Sequence, residues 1–199
     1  MTISGKGLNR RWLLAGGAAM LGAGAVGCAP AATGEFADLG RGLDRVVLTN
    51  SAGEEVRWRD LRGAPRAVFF GFTNCPVICP VTIYELMASA ERIGAPADDL
   101  RIDFITVDPE RDTPERMREY FSGFGPKVTG FTGSTEALAV INEAFEVTAT
   151  RVPLERGGFT IDHTATVFLI NRAGGVEDVL MYGAEQDVID ERLRALVSG

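Results

Sequence analysis

The chain has 199 residues, of which 46% are hydrophobic and 24% charged, and it carries a formal net charge of −7. This composition is typical of one folded domain with a sizeable core and predicts no long disordered region. The acidic balance argues against nucleic acid as a partner, because nucleic-acid binding needs a basic face.

The first 27 residues have the order of an export signal. A polar, basic segment that ends in Arg10-Arg11 precedes an uncharged run from Trp12 to Gly27. This run is short for a transmembrane span, which needs roughly 20 apolar residues. The segment from Arg10 to Leu14 is also a partial match to a twin-arginine export signal. We therefore expect this leader to direct export.

A cysteine follows the leader at once. The sequence Ala25-Val26-Gly27-Cys28 resembles a bacterial lipoprotein cleavage box, in which Cys28 would become the lipidated first residue of the mature chain. An uncleaved N-terminal anchor is the alternative. Residues 28–40 are expected to form a flexible tether, and residues 41–199 the folded domain. Either interpretation places the domain on the periplasmic side of the bacterial inner membrane, attached to the membrane through its N-terminus.

The predicted domain begins with a β-hairpin. Two short β-rich runs, Val46–Thr49 and Val56–Trp58, flank a stretch of turn-forming residues. Val68–Phe72 is a continuous apolar run, typical of a central strand that is buried on both faces. A helix follows to about Arg92, and Gly94 ends it.

The turn between this strand and helix contains Cys75 and Cys79. Pro80 fits the first turn of a helix, so both sulfurs are predicted at or just before the helix N-terminus. The partial positive charge there favours thiolates, which bind soft metals and attack disulfides. With Cys28 there are three cysteines, which cannot all pair within one molecule. A disulfide between Cys75 and Cys79 would close a very small ring and is expected to be redox-active; two inert, buried cysteines are the alternative.

The second half of the chain continues the alternation of strands and helices. Leu100–Val107 is a second central strand. Thr113-Pro114 starts a helix with core-facing residues at helical spacing, Met117, Tyr120 and Phe121. The remaining elements are a helix from Ser134 to about Ala144, a strand-like run Phe145–Val152, strands Thr164–Ile170 and Val176–Tyr182, and a helix over about Gln186–Val197. This order predicts a thioredoxin-like α/β fold, with a central mixed sheet flanked by helices and an N-terminal β-hairpin.

His163 is the only histidine in the chain and lies at the edge of the strand that starts at Thr164. A thioredoxin-like topology would bring the start of this strand to the same end of the sheet as the cysteine turn. Two thiolates and one imidazole suit Cu(I), and they can hold Cu(II) with one further donor or water. Structural zinc usually has four such ligands, so copper fits better, and catalytic zinc with a bound water stays formally open. The alternative is an imidazole without a special role.

Charged residues are concentrated directly after the second central strand, in the segment Asp108–Thr113. Sites in α/β sheets lie at this end of the strands. The Asp108 carboxylate is a candidate for a weak extra ligand or for a hydrogen-bond partner of the imidazole, and Asp162 is a second candidate for that partner role. The alternative is a solvated loop that ends in two helix-capping residues, Asp112 and Thr113.

Three separate motifs resemble those of the Sco/SenC family. They are residues 70–80 (Phe-Gly-Phe-Thr-Asn-Cys-Pro-Val-Ile-Cys-Pro), residues 107–115 (Val-Asp-Pro-Glu-Arg-Asp-Thr-Pro-Glu) and Asp162-His163-Thr164. The resemblance implies a thioredoxin-like fold and a protein that delivers copper to the binuclear CuA centre of cytochrome c oxidase, with subunit II or another copper-receiving protein as its partner. It also implies that the copper ligands are Cys75, Cys79 and His163.

The resemblance leaves two functions open. Members of the family also reduce the cysteines of the recipient centre, so a thiol–disulfide oxidoreductase that uses Cys75 and Cys79 is the alternative to a metallochaperone. A redox sensor or peroxidase is a weaker third hypothesis. The cysteine turn departs from the family, which often has histidine and aspartate where this chain has Asn74 and Val77. No ligand is lost, but Val77 removes a carboxylate beside the site.

Overall fold

The structure is a computed structural model that describes residue 36 and residues 39–199. The predicted leader, Cys28 and most of the predicted tether lie outside the described residues. The strands are β1 (Val47–Asn50), β2 (Glu55–Arg57), β3 (Arg66–Gly71), β4 (Arg101–Thr106), β5 (Val128–Thr132), β6 (Ala149–Pro153), β7 (Phe159–His163), β8 (Thr166–Ile170) and β9 (Val176–Met181). The helices are α1 (Ile78–Ile93), α2 (Pro114–Phe121), α3 (Thr135–Ala144) and α4 (Gln186–Ser198).

Seven strands form one mixed sheet in the order β2-β1-β5-β4-β3-β8-β9, and β6 pairs with β7 in a separate hairpin. The three central strands β3, β4 and β5 are parallel, whereas β1, β2, β8 and β9 pair antiparallel with their neighbours. The predicted mixed central sheet and the predicted N-terminal hairpin β1–β2 are therefore confirmed. Among the described residues, none of the helices has both the length and the apolar character that a membrane span requires.

The central strand β3 is buried on both faces, as its continuous apolar run predicts. Ala67 and Phe69 belong to a core layer that also contains apolar residues of α1, α2 and α4. Val68 and Phe70 point the other way, into a second layer with residues of α3 and the N-terminal segment. These four residues are at most 1% exposed, so successive side chains of β3 are buried in two different core layers, one on each face of the sheet.

The helix ends are set by local sequence as expected. The Thr113 hydroxyl caps α2 by accepting a hydrogen bond from the backbone N–H of Arg116, and the Ser134 hydroxyl caps α3 in the same way. Helix α1 ends at Gly94, whose φ of +73° favours glycine. Its start differs from the prediction, because the helix begins at Ile78 and Cys79 therefore lies inside the first turn. Pro80 also fits there, since the first N–H groups of a helix have no intrahelical acceptor.

Strand β5 was not predicted, although it completes the parallel core. Its middle residue is Gly130, and glycine inside a strand weakens the sequence pattern. The structure explains this glycine: a Cβ atom there would lie 2.6 Å from Cε of Met117 and still closer to the Phe121 ring. Helix α2 thus packs directly on the β5 backbone.

The region around the histidine also differs from the prediction. The expected strand from Phe145 to Val152 is wrong in its first half, because Phe145 ends α3 and Glu146 has a φ of +54°. The strand in this region is β6, which starts at Ala149. Strand β7 was not predicted, and His163 is its last residue, whereas the following strand β8 starts at Thr166 and not at Thr164.

Candidate metal centre

The cysteine turn and His163 meet at one end of the main sheet. Strand β8 runs antiparallel to β3, with Val167 opposite Phe69, so the start of β8 lies beside the end of β3 that leads into the cysteine turn. Only two residues separate His163 from the start of β8. Its Nε2 atom lies 4.0 Å from Sγ of Cys79. The prediction that the topology brings these distant residues together is confirmed.

The two cysteines are close to each other and differ in exposure. The Cys75 sulfur accepts a hydrogen bond of 3.4 Å from the backbone N–H of Cys79. Both thiols are free; Cys75 is half-buried and Cys79 is fully buried in the core layer of α1, α2 and α4. Cys75 is therefore the sulfur that a partner could reach first.

The orientation of the His163 ring leaves one nitrogen available to a metal. Its Nδ1 atom lies 3.0 Å from the Thr164 carbonyl, and with a proton on Nδ1 it donates a hydrogen bond there. Nε2, which faces Cys79, then carries a lone pair. The rings of Phe69 and Phe72 meet the imidazole edge-on, at centroid distances of 6.2 and 5.7 Å. Burial lowers the pKa of His163, and this favours the neutral form that binds metals.

Burial has the opposite consequence at Cys79. It raises the pKa of this thiol far above the ordinary value, and a hydrogen bond with the Phe72 backbone offsets only part of the rise. The expectation that the helix N-terminus favours a thiolate is therefore wrong for Cys79 in the metal-free protein, where the desolvation of a buried charge outweighs the helix dipole. A cation that binds here must displace the thiol proton.

The chemistry of the donor set fits a soft metal ion, and so does the distance between Cys79 Sγ and His163 Nε2. Bonds of about 2.3 Å to sulfur and about 2.0 Å to nitrogen, at an angle of about 120°, place the two donors roughly 3.7 Å apart. The observed separation of Cys79 Sγ and His163 Nε2 is 4.0 Å. Within the described part of the chain, no three His, Cys, Asp or Glu side chains are pre-assembled into a metal-binding cluster.

Gly71 lets the Cys79 sulfur approach the end of β3. A Cβ atom on Gly71 would lie 2.8 Å from Sγ of Cys79 and 2.7 Å from Cε2 of Phe104. Such distances are well inside normal van der Waals contact, so only glycine fits here without displacement of the sulfur or the ring. The sequence analysis did not single out this residue.

Asp112 fixes the cysteine turn to the neighbouring strand. Its buried carboxylate accepts hydrogen bonds from the backbone N–H of Thr73 (3.0 Å), the Thr73 hydroxyl (2.6 Å) and the Thr106 hydroxyl (2.6 Å). Thr113 alone caps α2, so the interpretation of Asp112 as a second capping residue is wrong. Asp112 instead positions the segment that leads into Cys75.

Asp108 and Asp162 were candidates for contact with the imidazole. Asp108 is buried and forms an ion pair with Arg111, and its Oδ1 atom has no hydrogen-bond partner among the described residues. A carboxylate partner of the imidazole would have to meet Nδ1 of His163, because Nε2 faces Cys79. Nδ1 instead lies beside the Thr164 carbonyl. Asp162 is exposed; burial is the main influence on the pKa of His163 and lowers it, and the negative charge of Asp162 acts in the opposite direction.

Arg111 links the histidine hairpin to the cysteine turn. It donates a hydrogen bond of 3.1 Å to the Phe159 carbonyl in β7, and its guanidinium lies 4.0 Å from the centroid of the Phe159 ring. The same guanidinium lies 5.8 Å from the Phe72 ring, at the start of the cysteine turn. The charged segment after β4 therefore holds together the two pieces of chain that carry the sulfur and nitrogen donors.

Comparison with a family model and with known proteins identifies the same family. The family model described as SCO1/SenC matches residues 44–198. A mitochondrial SCO1 homologue of Arabidopsis thaliana is 33% identical over 142 residues, which cover 71% of this chain and 42% of that protein. This chain thus spans less than half the length of that relative.

Two solved structures share the fold. Bradyrhizobium japonicum ScoI with copper bound has 34% identity and a TM-score of 0.68, over 76% of this chain and 96% of that chain. Arabidopsis thaliana ScoI with copper bound has 28% identity and a TM-score of 0.72, over 76% of this chain and 95% of that chain. The predicted thioredoxin-like fold is confirmed by this likeness.

Proposed function

The chain belongs to the SCO1/SenC family, and on this premise we propose that it is a membrane-attached copper metallochaperone. It binds copper through Cys75, Cys79 and His163 and delivers it to the CuA centre of cytochrome c oxidase, on subunit II. Two structures that share its fold contain copper, which supports copper as the cargo.

The observation that carries this proposal is the approach of Cys79 and His163. These residues are 84 positions apart in sequence, yet Sγ and Nε2 face each other at 4.0 Å. The imidazole is held neutral by burial and oriented through Nδ1, so that a lone pair is directed at the sulfur. Soft sulfur donors with one imidazole select Cu(I) over the hard cations that carboxylates bind.

Transfer to a partner follows from the unequal exposure of the sulfurs. Cys75 is half-buried, and Val77, two positions further along the chain, is 55% exposed. A thiolate of the recipient can add to the copper ion on the side of Cys75 and displace this ligand, while Cys79 and His163 still hold the metal. Exchange of one ligand at a time avoids release of free copper, and an apolar rim at Val77 suits a protein partner.

The membrane attachment is the remaining part of the proposal. The basic segment, the apolar run and Cys28 support export followed by lipidation, with an uncleaved anchor as the alternative. Mass spectrometry of the protein from membranes of a bacterial host tests it directly. A diacylated N-terminal Cys28 is expected, and an intact leader would favour the uncleaved anchor.

Copper binding by the full chain in detergent tests the ligand set. Under reducing conditions, we expect about one Cu(I) per wild-type chain, and the same for Cys28→Ser, which keeps both site cysteines. Cys75→Ala and His163→Ala should each lose stoichiometric binding against a competing chelator. If both variants retain wild-type affinity, the ligand set is refuted.

A second function, thiol–disulfide reduction, is favoured by the pairing of an accessible sulfur with a buried one. The Cys75 thiolate would attack a partner disulfide to form a mixed disulfide and release one partner thiolate. Cys79 would then attack Cys75, release the second partner thiol and leave a disulfide in this chain. Two electrons pass to the partner. His163→Ala separates the two functions, because it should abolish copper binding and leave disulfide reduction intact.

A further inference from the structure

The histidine hairpin, formed by β6, β7 and the turn between them, stands apart from the two core layers of the domain. All five residues of β6 are exposed. Within the described part of the chain, neither core layer contains a residue of β6 or β7. The main sheet does not hold the hairpin either, because the two strands pair with each other in a separate sheet. The position of His163, the last residue of β7, therefore depends on side-chain contacts.

One face of β7 makes these contacts. Side chains alternate along a strand, so Phe159, Ile161 and His163 point to the same face. Ile161 is buried, and the other two residues are half-buried. His163 approaches Cys79 at the open end of the hairpin. Phe159 lies at the other end, next to the turn, and the four residues between them in strand geometry span about 13 Å.

Two guanidinium groups hold the Phe159 end of the strand. The guanidiniums of Arg111 and Arg151 lie over the Phe159 ring, 4.0 and 4.5 Å from its centroid, where the ring attracts a cation. Arg111 also donates a hydrogen bond of 3.1 Å to the Phe159 carbonyl. Both cations are tied to the charged segment after β4, since Arg111 pairs with the buried Asp108 and Arg151 lies 2.6 Å from Glu110. The ring is thus fixed to this segment.

We propose that Phe159 is a positioning residue of the copper site, whose ring docks the histidine hairpin on the charged segment and so keeps His163 beside Cys79. The inference rests on the proposed copper-binding function and adds to it a residue outside the ligand set. The hairpin carries the nitrogen ligand at one end and this docking contact at the other. Loss of the contact frees the strand to move away from the cysteine turn.

The proposal sets a limit that a general loss of structure would not obey. The apparent dissociation constant for copper rises as the docked fraction of the hairpin falls. Complete undocking would leave copper with the two cysteines alone, so the limit is the affinity of His163→Ala. In a protein that already carries His163→Ala, a further change at Phe159 should therefore have no effect on copper affinity.

The test compares Phe159→Leu with Phe159→Tyr in the full chain. Leucine keeps an apolar side chain but removes the aromatic face, whereas tyrosine keeps that face. Leu154→Ala is the matched control, because it shortens an apolar side chain of the same hairpin that is 50% exposed. Cu(I) affinity is measured by competition with a chelator under reducing conditions. We expect about tenfold weaker binding by Phe159→Leu, wild-type binding by Phe159→Tyr and Leu154→Ala, and no further loss when Phe159→Leu is added to His163→Ala.

A second measurement follows the hairpin in the metal-free protein. His163 is the only histidine in the chain, so its ring gives a single set of histidine NMR signals. The rings of Phe69 and Phe72 meet it edge-on, at centroid distances of 6.2 and 5.7 Å, and should displace these signals from those of an exposed histidine. We expect the displacement to shrink in Phe159→Leu and to persist in Phe159→Tyr and Leu154→Ala.

The outcomes separate this inference from the copper-binding function. Wild-type copper affinity in Phe159→Leu, or His163 signals that do not move, would overturn the inference and leave the copper-binding function standing. An equal loss of affinity with and without His163 would also overturn it, because the effect would then not act through the imidazole. If the wild type itself binds no copper, the proposed function fails, and the NMR comparison alone decides whether Phe159 positions His163.

Discussion

Substitution of Gly71 by alanine tests how closely the end of β3 controls the copper site. The added Cβ would lie 2.7 and 2.9 Å from two carbons of the Phe104 ring and 2.8 Å from Sγ of Cys79. Favourable separations between such atoms are about 3.5–4.0 Å, so the ring and the sulfur must both retreat by nearly 1 Å. Overpacking of this kind costs about 1–3 kcal/mol of unfolding free energy.

In the wild type, Nε2 of His163 lies 4.0 Å from the Cys79 sulfur. The displacement in the variant would change this distance. We therefore expect Gly71→Ala to weaken Cu(I) binding at least tenfold in addition to the loss of stability. Urea unfolding of the metal-free protein and chelator competition for Cu(I) measure the two effects separately.

Gly123→Ala is the matched control for this substitution. A Cβ at Gly123 meets no atom within 4 Å among the described residues, and Gly123 has no positive φ. This variant should keep its copper affinity and lose no stability, because alanine restricts the unfolded chain. If Gly71→Ala behaves like Gly123→Ala in both assays, the close packing of Cys79 against β3 is refuted.

Two further predictions concern the supports of the site and of the domain. Asp112→Ala should lower the unfolding free energy by about 3–5 kcal/mol, because it leaves the N–H of Thr73 and the hydroxyls of Thr73 and Thr106 without their buried acceptor. Urea unfolding measures this loss, and a loss below about 1 kcal/mol would contradict the prediction. The Arg92 guanidinium, 2.7 Å from each carboxylate oxygen of Asp190, holds the pKa of Asp190 well below its usual range. A lowered pKa in the folded state stabilises the protein above the unfolded pKa of about 3.9, and this stabilisation is lost as the pH falls through that region. In urea unfolding, Asp190→Asn should therefore be less stable than the wild type by about 1 kcal/mol at pH 7, and this difference should shrink between about pH 5 and pH 2. A difference in unfolding free energy that does not depend on pH would contradict the role of the Arg92–Asp190 ion pair.

The sequence was most informative where one local pattern decides the structure. The apolar run of β3 predicted a doubly buried strand, and Thr113 and Ser134 predicted the starts of two helices, because strand burial and helix capping depend on neighbouring residues. The candidate ligands were found in the same way, from two cysteines at a helix start and a single histidine.

What the sequence did not reveal depends on contacts between distant segments. Asp112 was interpreted as a cap because its neighbours suggest one, yet its hydrogen bonds go to Thr73, which is 39 positions away. Strand β5 was missed because Gly130 weakens its pattern, and that glycine is required by α2 packing above it. The raised pKa of Cys79 likewise comes from burial in the core, which a position near a helix start does not reveal.

The central claim is that this chain hands copper to another protein. The most direct measurement is to mix the Cu(I)-loaded full chain with the metal-free, reduced CuA domain of a cytochrome c oxidase subunit II, to separate the two proteins and to measure copper in each. We predict that most of the copper moves to the CuA domain without capture by a chelator in solution. Copper that stays with this chain, or that appears in the chelator before it reaches the CuA domain, would contradict the proposed function.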